Sequence, residues 1–140
     1  MGALIDGGHN QVISLSNGAS IKLAGFKLEQ KFSFLDYIFG GCEIKVHVAI
    51  DFTLSNGDPR DPKSLHYIDP RTQRNNYTDA IHSCLSILEN YDKDKMFPIY
   101  GFGGKVPECQ AVSHCFALNG DIFSPEVNGV NGVLNAYYQA

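Results

Sequence analysis

The rhythm of apolar and polar positions changes along the chain, and each change marks a predicted element. Val12-Ile13-Ser14-Leu15-Ser16 reads as a short strand that turns at Asn17-Gly18. Ile21-Lys22-Leu23 and Phe26-Lys27-Leu28 then alternate apolar with polar residues, the period of half-buried strands. A denser aromatic run with Phe32, Phe34 and Tyr37 follows and ends at Gly40-Gly41. Residues 1–40 therefore read as antiparallel β structure, with Gly40-Gly41 as a hinge or linker.

From Ile44 the character changes. Lys45 to Phe52 is a mostly apolar, β-branched run, the pattern of a strand buried on both faces in the middle of a parallel sheet. A polar loop rich in Pro, Asp and Gly spans Ser55 to about Asn76. Tyr77, Ala80, Ile81, Cys84, Leu85 and Leu88 recur at steps of three and four, which predicts a helix capped by Asn75 or Asn76. Lys95 to Tyr100 reads as a second strand, stopped by Gly101-Phe102-Gly103-Gly104, with Pro98 favouring a sheet edge or a bulge. Val112 to Leu118 is a third strand, and Val130, Val133, Leu134 and Tyr137 mark a second amphipathic helix. This order predicts the α/β class, a largely parallel sheet with crossover helices. The last helix should lead to a further strand, so the α/β unit reads as incomplete at Ala140.

Length and composition narrow the function. With 140 residues, 44% of them hydrophobic, the chain suits one domain or one and a fraction. Net charge is −4, with acidic and basic residues interleaved. No basic stripe points to nucleic acid, and no polybasic cluster points to an anionic membrane. Cys42, Cys84, Cys109 and Cys115 form no C-x-x-C pair and fit no zinc template. They are expected to be reduced thiols of a cytosolic protein, with Cys84 on the apolar side of its helix. The N-terminus lacks a secretory pattern, and Asp6 stands where the myristoylation motif of Gly2 wants Ser or Thr. No apolar run approaches the roughly 20 residues that span a bilayer. Without a secretory route, the sequon form of Asn76-Tyr77-Thr78 carries little weight.

The main polar signal is Asp51-Phe52-Thr53-Leu54-Ser55, a D-x-T-x-S pattern where the first α/β strand runs out. Ligands of open α/β sheets bind beyond the carboxyl ends of strands. Asp51, Thr53 and Ser55 alternate, so an extended backbone would point them the same way. One carboxylate and two hydroxyls make a hard oxygen set that suits Mg²⁺, Mn²⁺ or Ca²⁺ and not zinc. With few carboxylates the ion stays electrophilic, and an acidic group of a partner would complete its shell. The same residue types after a strand also cap helices and form turns. Gly101 to Gly104, followed by Lys105-Val106, fits neither a P-loop nor G-x-G-x-x-G and reads as a tight turn with close packing. His47 reads as a core histidine. His66, His82 and His114 are scattered, and Asp58 and Asp61 shape turns around Pro59 and Pro62. His114 and Cys115 are strand neighbours facing apart, so they form no dyad. No nucleophile–base–orienter set is visible, so no enzyme is expected.

Several blocks, taken in order, resemble the copine family. Phe34-Leu35-Asp36-Tyr37-Ile38-Phe39-Gly40-Gly41-Cys42 looks like the join between the second C2 domain and the A domain. Asp51-Phe52-Thr53 with Ser55-Asn56-Gly57-Asp58-Pro59-Arg60 is similar to the family's metal-site loop. Ser64-Leu65-His66-Tyr67-Ile68, Tyr91-Asp92, Asp94-Lys95-Met96-Phe97-Pro98, Gly101-Phe102-Gly103, Val112-Ser113-His114, Asn131-Gly132-Val133 and Ala136-Tyr137 follow in the family's order. The resemblance covers roughly residues 30–139. It implies a C-terminal remnant of a C2 β-sandwich and linker over residues 1–41. Residues 42–140 would then be the N-terminal part of a von Willebrand A-like, Rossmann-type domain.

The resemblance further implies a calcium-dependent phospholipid-binding adaptor, cytoplasmic and recruited to the plasma membrane. Its C2 domains bind lipid and its A domain binds proteins through a divalent metal at a metal-ion-dependent adhesion site. Asp51, Thr53 and Ser55 would be the metal residues here. The family's remaining ligands, a loop Thr and a later Asp, would lie beyond Ala140, so the chain is expected to hold metal weakly and to leave a sheet edge uncovered. One alternative is an inert truncated remnant. Another is the A domain of a ubiquitin ligase, whose zinc RING has no Cys and His pairs in this chain.

Overall fold

A computed structural model gives the fold and describes residues 5–7, 11–23, 26–107 and 111–140. Two compact units divide between Cys42 and Glu43. In the first, strand β1 (Ile5–Gly7) pairs antiparallel with β4 (Phe26–Leu28), and β2 (Gln11–Ser14) with β3 (Ser20–Leu23). The Asn17-Gly18 turn closes the β2–β3 hairpin as expected. Gly18 takes φ +80°, its N–H donates to Leu15 O at 3.1 Å, and Leu15 N–H donates to Ala19 O at 2.8 Å.

The aromatic run after β4 is not a strand. Phe34–Phe39 forms a short helix, α1. Ser33 caps it: Asp36 N–H donates to Ser33 Oγ at 3.4 Å, and Ser33 N–H donates back to Asp36 Oδ2 at 2.8 Å. This reciprocal capping box satisfies donors that helix starts leave open. It outweighs the β preference of Phe34 and Tyr37.

In the second unit, β5 is shorter than the apolar run around it and spans Val48–Asp51. A 3₁₀ turn at Leu54–Asn56 leads into the polar loop, and α2 spans Asn76–Leu88. A second 3₁₀ turn, Glu89–Tyr91, precedes β6 (Met96–Phe102). Short strands β7 (Gly104–Lys105), β8 (Val112–Ser113), β9 (Phe116–Ala117) and β10 (Glu126–Asn128) follow, and α3 spans Gly129–Gln139. The class is mixed α/β. β5 and β6 are parallel, with Val48 opposite Ile99 and Asp51 opposite Phe102. β10 and β9 pair antiparallel with β6, at Met96–Pro98 and at Tyr100–Gly101. β7 pairs with β8 separately.

Several expectations need correction here. The run from Ile44 to Phe52 is not buried on both faces. Ile44, Val46 and Val48 are half-buried and Ile50 is buried, while Lys45, His47 and Ala49 are exposed. Both α2 and α3 pack on one face of the sheet, against Ile50, Phe97 and Ile99, so alternate residues face away from the core. His47 is thus an exposed residue ahead of the strand, not a core histidine. Pro98 sits in β6, which has neighbours on both edges, rather than on an edge strand. The parallel ladder to β5 begins one residue later, at Ile99, so the missing N–H falls outside it. β6 also runs on through Gly101-Phe102. The predicted third strand is two pieces with different partners, β8 on β7 and β9 on β6. His114 and Cys115 lie in the bend between them.

The core cluster holds Ile50, Ile81, Leu85, Phe97, Ile99, Leu118, Val133, Ala136 and Tyr137. Phe97, Ile99 and Val133 are fully buried, each stabilising the fold by about 1.5–3 kcal/mol. On α2 the inward residues are Tyr77, Thr78, Ile81, Leu85 and Leu88; Ala80 and Cys84 face solvent instead. Cys84 and Cys115 are free thiols, and Cys109 lies outside the described residues. Among the described residues, no helix is long and apolar enough to cross a membrane.

The glycine run packs as its composition suggests. A Cβ on Gly101 would stand 2.5 Å from the Phe116 ring, and one on Gly104 would stand 3.2 Å from Phe52 Cβ. Lys45 ties the entrance of β5 to the turn before β6, with Nζ 2.7 Å from both Asp92 Oδ1 and Asp94 Oδ2.

Candidate functional site: the loop at the carboxyl end of β5

β5 ends at Asp51, and the chain turns at once. Asp51 Oδ1 accepts from Thr53 N–H at 2.8 Å, an Asx turn that bends the backbone out of the sheet. Thr53 O then accepts from Asn56 N–H at 3.0 Å, which forms the 3₁₀ turn. Thr53 Oγ1 and Ser55 Oγ lie 3.0 Å apart. The sequence expectation brought Asp51, Thr53 and Ser55 together on an extended backbone. They do come together, but through consecutive turns.

The turn is fixed from below. Asn56 is buried, and its Nδ2 donates to Thr53 O at 3.2 Å and to Thr53 Oγ1 at 3.3 Å. Asn56 O accepts from Ser64 Oγ at 2.9 Å and from Leu65 N–H at 3.0 Å. The loop between them is shaped by Asp58 and Asp61, as expected. Arg60 N–H donates to Asp58 Oδ1 and Lys63 N–H to Asp61 Oδ1, each at 2.9 Å. Gly103 packs beside Thr53 with φ +74°, a conformation that favours glycine.

The carboxyl of Asp51 is held below the usual carboxylate range, first by a hydrogen bond from the Thr53 side chain and then by the Thr53 N–H, against a weaker effect of burial. It is ionised at neutral pH. Its two hydroxyl neighbours complete an oxygen set without sulfur or nitrogen. Adjacent oxygens of an octahedral Mg²⁺ at about 2.1 Å from the ion lie about 3.0 Å apart. The Thr53 and Ser55 hydroxyls are hydrogen-bonded to each other at 3.0 Å, a spacing that this edge shares with ordinary hydroxyl hydrogen bonds. The chemistry of the donor set, one carboxylate and two hydroxyls, fits a hard divalent cation. Among the described residues, no group of three or more His, Cys, Asp or Glu is placed to hold an ion.

Beneath the loop lies a cluster that the sequence did not single out. His66 is buried, with its ring stacked between Phe52 and Tyr77, centroids 4.9 and 4.3 Å away and planes within 9°. Its Nε2 is 2.8 Å from Asp51 O, and its Nδ1 is 2.9 Å from the Tyr137 hydroxyl. Tyr77 Oη stands 3.1 Å from Asp51 O and 2.9 Å from Asn56 Oδ1, sharing its proton between them. Burial raises the phenols of Tyr77 and Tyr137, so both keep their protons. Asn75, the observed cap of α2, accepts from Thr78 N–H at 2.9 Å. Its Nδ2 donates to Tyr137 Oη at 2.9 Å and to His66 O at 3.0 Å. The polar loop, α2 and α3 thus meet under the carbonyl of Asp51.

Next to this cluster a cleft of about 680 Å³ opens along Phe52, Phe116, Leu118, Lys105 and Ser113. Phe52 is common to both, with one side against His66 and contact with Phe116 at a centroid distance of 5.8 Å.

A protein-family model described as Copine matches residues 64–140, more than half of the chain. The matched range includes His66, Asn75, Tyr77 and Tyr137 and begins after the Asp51–Ser55 loop.

Proposed function

The chain belongs to the copine family, and from that premise we propose that it is a cation-assisted protein-binding module of a calcium-dependent, phospholipid-binding adaptor, not an enzyme. In this reading the second unit is part of a von Willebrand A-like domain. The first is the end of a C2 domain, whose calcium-dependent lipid contacts recruit a cytoplasmic parent protein to the plasma membrane. Asp51, Thr53 and Ser55 hold a divalent cation, Mg²⁺, Mn²⁺ or Ca²⁺. The observation that carries the proposal is their convergence at the carboxyl end of β5, where Asp51 is ionised and the hydroxyls stand 3.0 Å apart.

When bound, the cation supplies an electrophilic site for an acidic group of the partner. The chain's own residues do the rest. Asp51 provides the charge that attracts the ion, and Asn56 holds Thr53 so that its hydroxyl faces Ser55. Leu54, 93% exposed at the rim, offers an apolar contact beside the ion. A single carboxylate leaves net positive charge on the site, the condition for accepting a partner's carboxylate.

Calorimetric titration of the purified chain with Mg²⁺, Mn²⁺ and Ca²⁺ tests the site, beside Asp51→Ala. Heat of binding should vanish in Asp51→Ala, and capture of binding partners should be lost both in that variant and in chelator. Capture that is unchanged by the substitution and by chelator would refute the metal mechanism and move recognition to another surface.

A further inference from the structure

We propose that His66 is a positioning residue: its Nε2–H holds the Asp51 peptide, and through it the oxygens of Asp51, Thr53 and Ser55, in the cation-binding arrangement. The inference rests on the cation reading above and adds what keeps that site in shape.

The hydrogen-bond directions follow from elimination. A carbonyl oxygen only accepts, so the contact of 2.8 Å between His66 Nε2 and Asp51 O requires a proton on Nε2. In the neutral ring Nδ1 is then the acceptor, and the Tyr137 hydroxyl donates to it across 2.9 Å. Tyr137 Oη in turn accepts from Asn75 Nδ2 at 2.9 Å. The protons run one way, from Asn75 to Tyr137 to His66 to Asp51. Each residue has one orientation that satisfies the chain, so α2's cap and α3 together choose the tautomer of the histidine.

His66 has little room to yield. Phe52 and Tyr77 clamp its ring from both sides nearly parallel, and it is 8% exposed. Asp51 O has two lone pairs, and Tyr77 Oη at 3.1 Å reaches it as a second donor. The orientation of that carbonyl sets the direction of the Asp51–Phe52 peptide, from which the Asx turn to Thr53 departs. Partners behind metal ligands commonly change affinity about 10- to 100-fold when removed.

The competing explanation is that His66 merely fills the core. Variants separate the two. In His66→Gln the side-chain amide nitrogen reaches the place of Nε2, while in His66→Asn it reaches only that of Nδ1. Both lose the aromatic ring, and Asn also loses one methylene, so a packing role predicts a loss of urea stability that grows with the volume removed and no dependence of the Thr53 amide on where the side-chain nitrogen stands. The positioning role predicts about tenfold weaker Mn²⁺ binding in His66→Asn and recovery of most of that loss in His66→Gln. Tyr137→Phe keeps the packing but removes the proton that selects the tautomer, and it should weaken Mn²⁺ binding severalfold.

The experiment is Mn²⁺ titration of the full chain and these variants, read by the electron paramagnetic resonance of free Mn²⁺. Nitrogen-15 spectra of the imidazole and of the Thr53 amide are recorded without metal. The expected wild-type tautomer carries its proton on Nε2, and the Thr53 amide signal should move in His66→Asn and return in His66→Gln. A proton found on Nδ1, or equal behaviour of the Gln and Asn variants, overturns the inference. If the wild type takes up no Mn²⁺, the cation reading fails, and the tautomer and the Thr53 amide still decide the role of His66. If His66→Asn fails to fold, Tyr137→Phe and the wild-type tautomer decide it.

Discussion

Gly103 and Gly120 offer a paired test of how tightly the loop is packed. Both have positive φ, +74° and +82°. In an L-residue that conformation costs about 1–2 kcal/mol, part of it offset by about 0.4–1 kcal/mol from the stiffer unfolded chain. Around Gly120 an added Cβ meets nothing within 4 Å, so Gly120→Ala should cost about 1 kcal/mol. At Gly103 the new Cβ would stand 2.3 Å from Thr53 Cγ2 and 3.1 Å from Thr53 Cα and N. Neither side gives way freely. Gly103 N–H donates to Ser113 O at 2.8 Å, and Asn56 holds Thr53 from the other side. Overpacking of this kind costs about 1–3 kcal/mol, so Gly103→Ala should exceed Gly120→Ala by about 2 kcal/mol. Urea unfolding followed by circular dichroism measures the difference. With a slope of about 1.5 kcal/mol per molar, the midpoints should differ by about 1.3 M. Gly103→Ala should also weaken Mn²⁺ binding, because Thr53 must shift, while Gly120→Ala should not. Costs within about 0.5 kcal/mol of each other would show that the contact is soft and refute the argument.

Three other expectations follow from single contacts. Asn75→Asp should destabilise by about 1–3 kcal/mol in urea, although Asp is as good a cap, because a carboxylate replaces the donor to Tyr137 Oη and His66 O. Phe97→Ala, at a fully buried site, should cost about 3–5 kcal/mol in the same assay. Arg60, foremost through its side-chain hydrogen bond, lowers the Asp58 carboxyl from 3.8 to about 2. The folded value is the depressed one, so the stabilising contribution is present above the unfolded value and is lost as pH falls from 3.8 through about 2. Carbon-13 titration should find that midpoint, and Arg60→Gln should return it toward 3.8.

Local signals in the sequence were readable and distant ones were not. The helices α2 and α3 declared themselves by spacing, and the cap of α2 was narrowed to Asn75 or Asn76, between which the structure chooses Asn75. The glycine run at 101–104 was legible as close packing. α1 was hidden by its aromatic residues, although Ser33-x-x-Asp36 was a capping signal in plain sight. His47 and Cys84 were misplaced because apolar neighbours were taken to mean burial. The sheet is covered on one face among the described residues, and α2 turns its Cys84 side to solvent. His66 left no local signature. Its partners stand 15 and 71 positions away, and only the tertiary fold joins them. The loop of Asp51, Thr53 and Ser55 was found by its spacing, yet its geometry is a turn that the strand pattern did not foretell.

The pairing of β5 with β6 also has a consequence for the order of assembly. Tyr100 pairs with Ala117, 17 positions on, whereas Val48 pairs with Ile99, 51 positions away. Closing the longer loop costs about 1 kcal/mol more in chain entropy. The hairpin of β6 with β9, and α3 that packs on it, can form before β5 arrives. The Asp51 loop hangs from the strand that is entropically dearest to seat, so in pulse-labelled refolding its amides should gain protection after those of β6. The nascent chain would then acquire its capacity for cation binding last, when β5 docks.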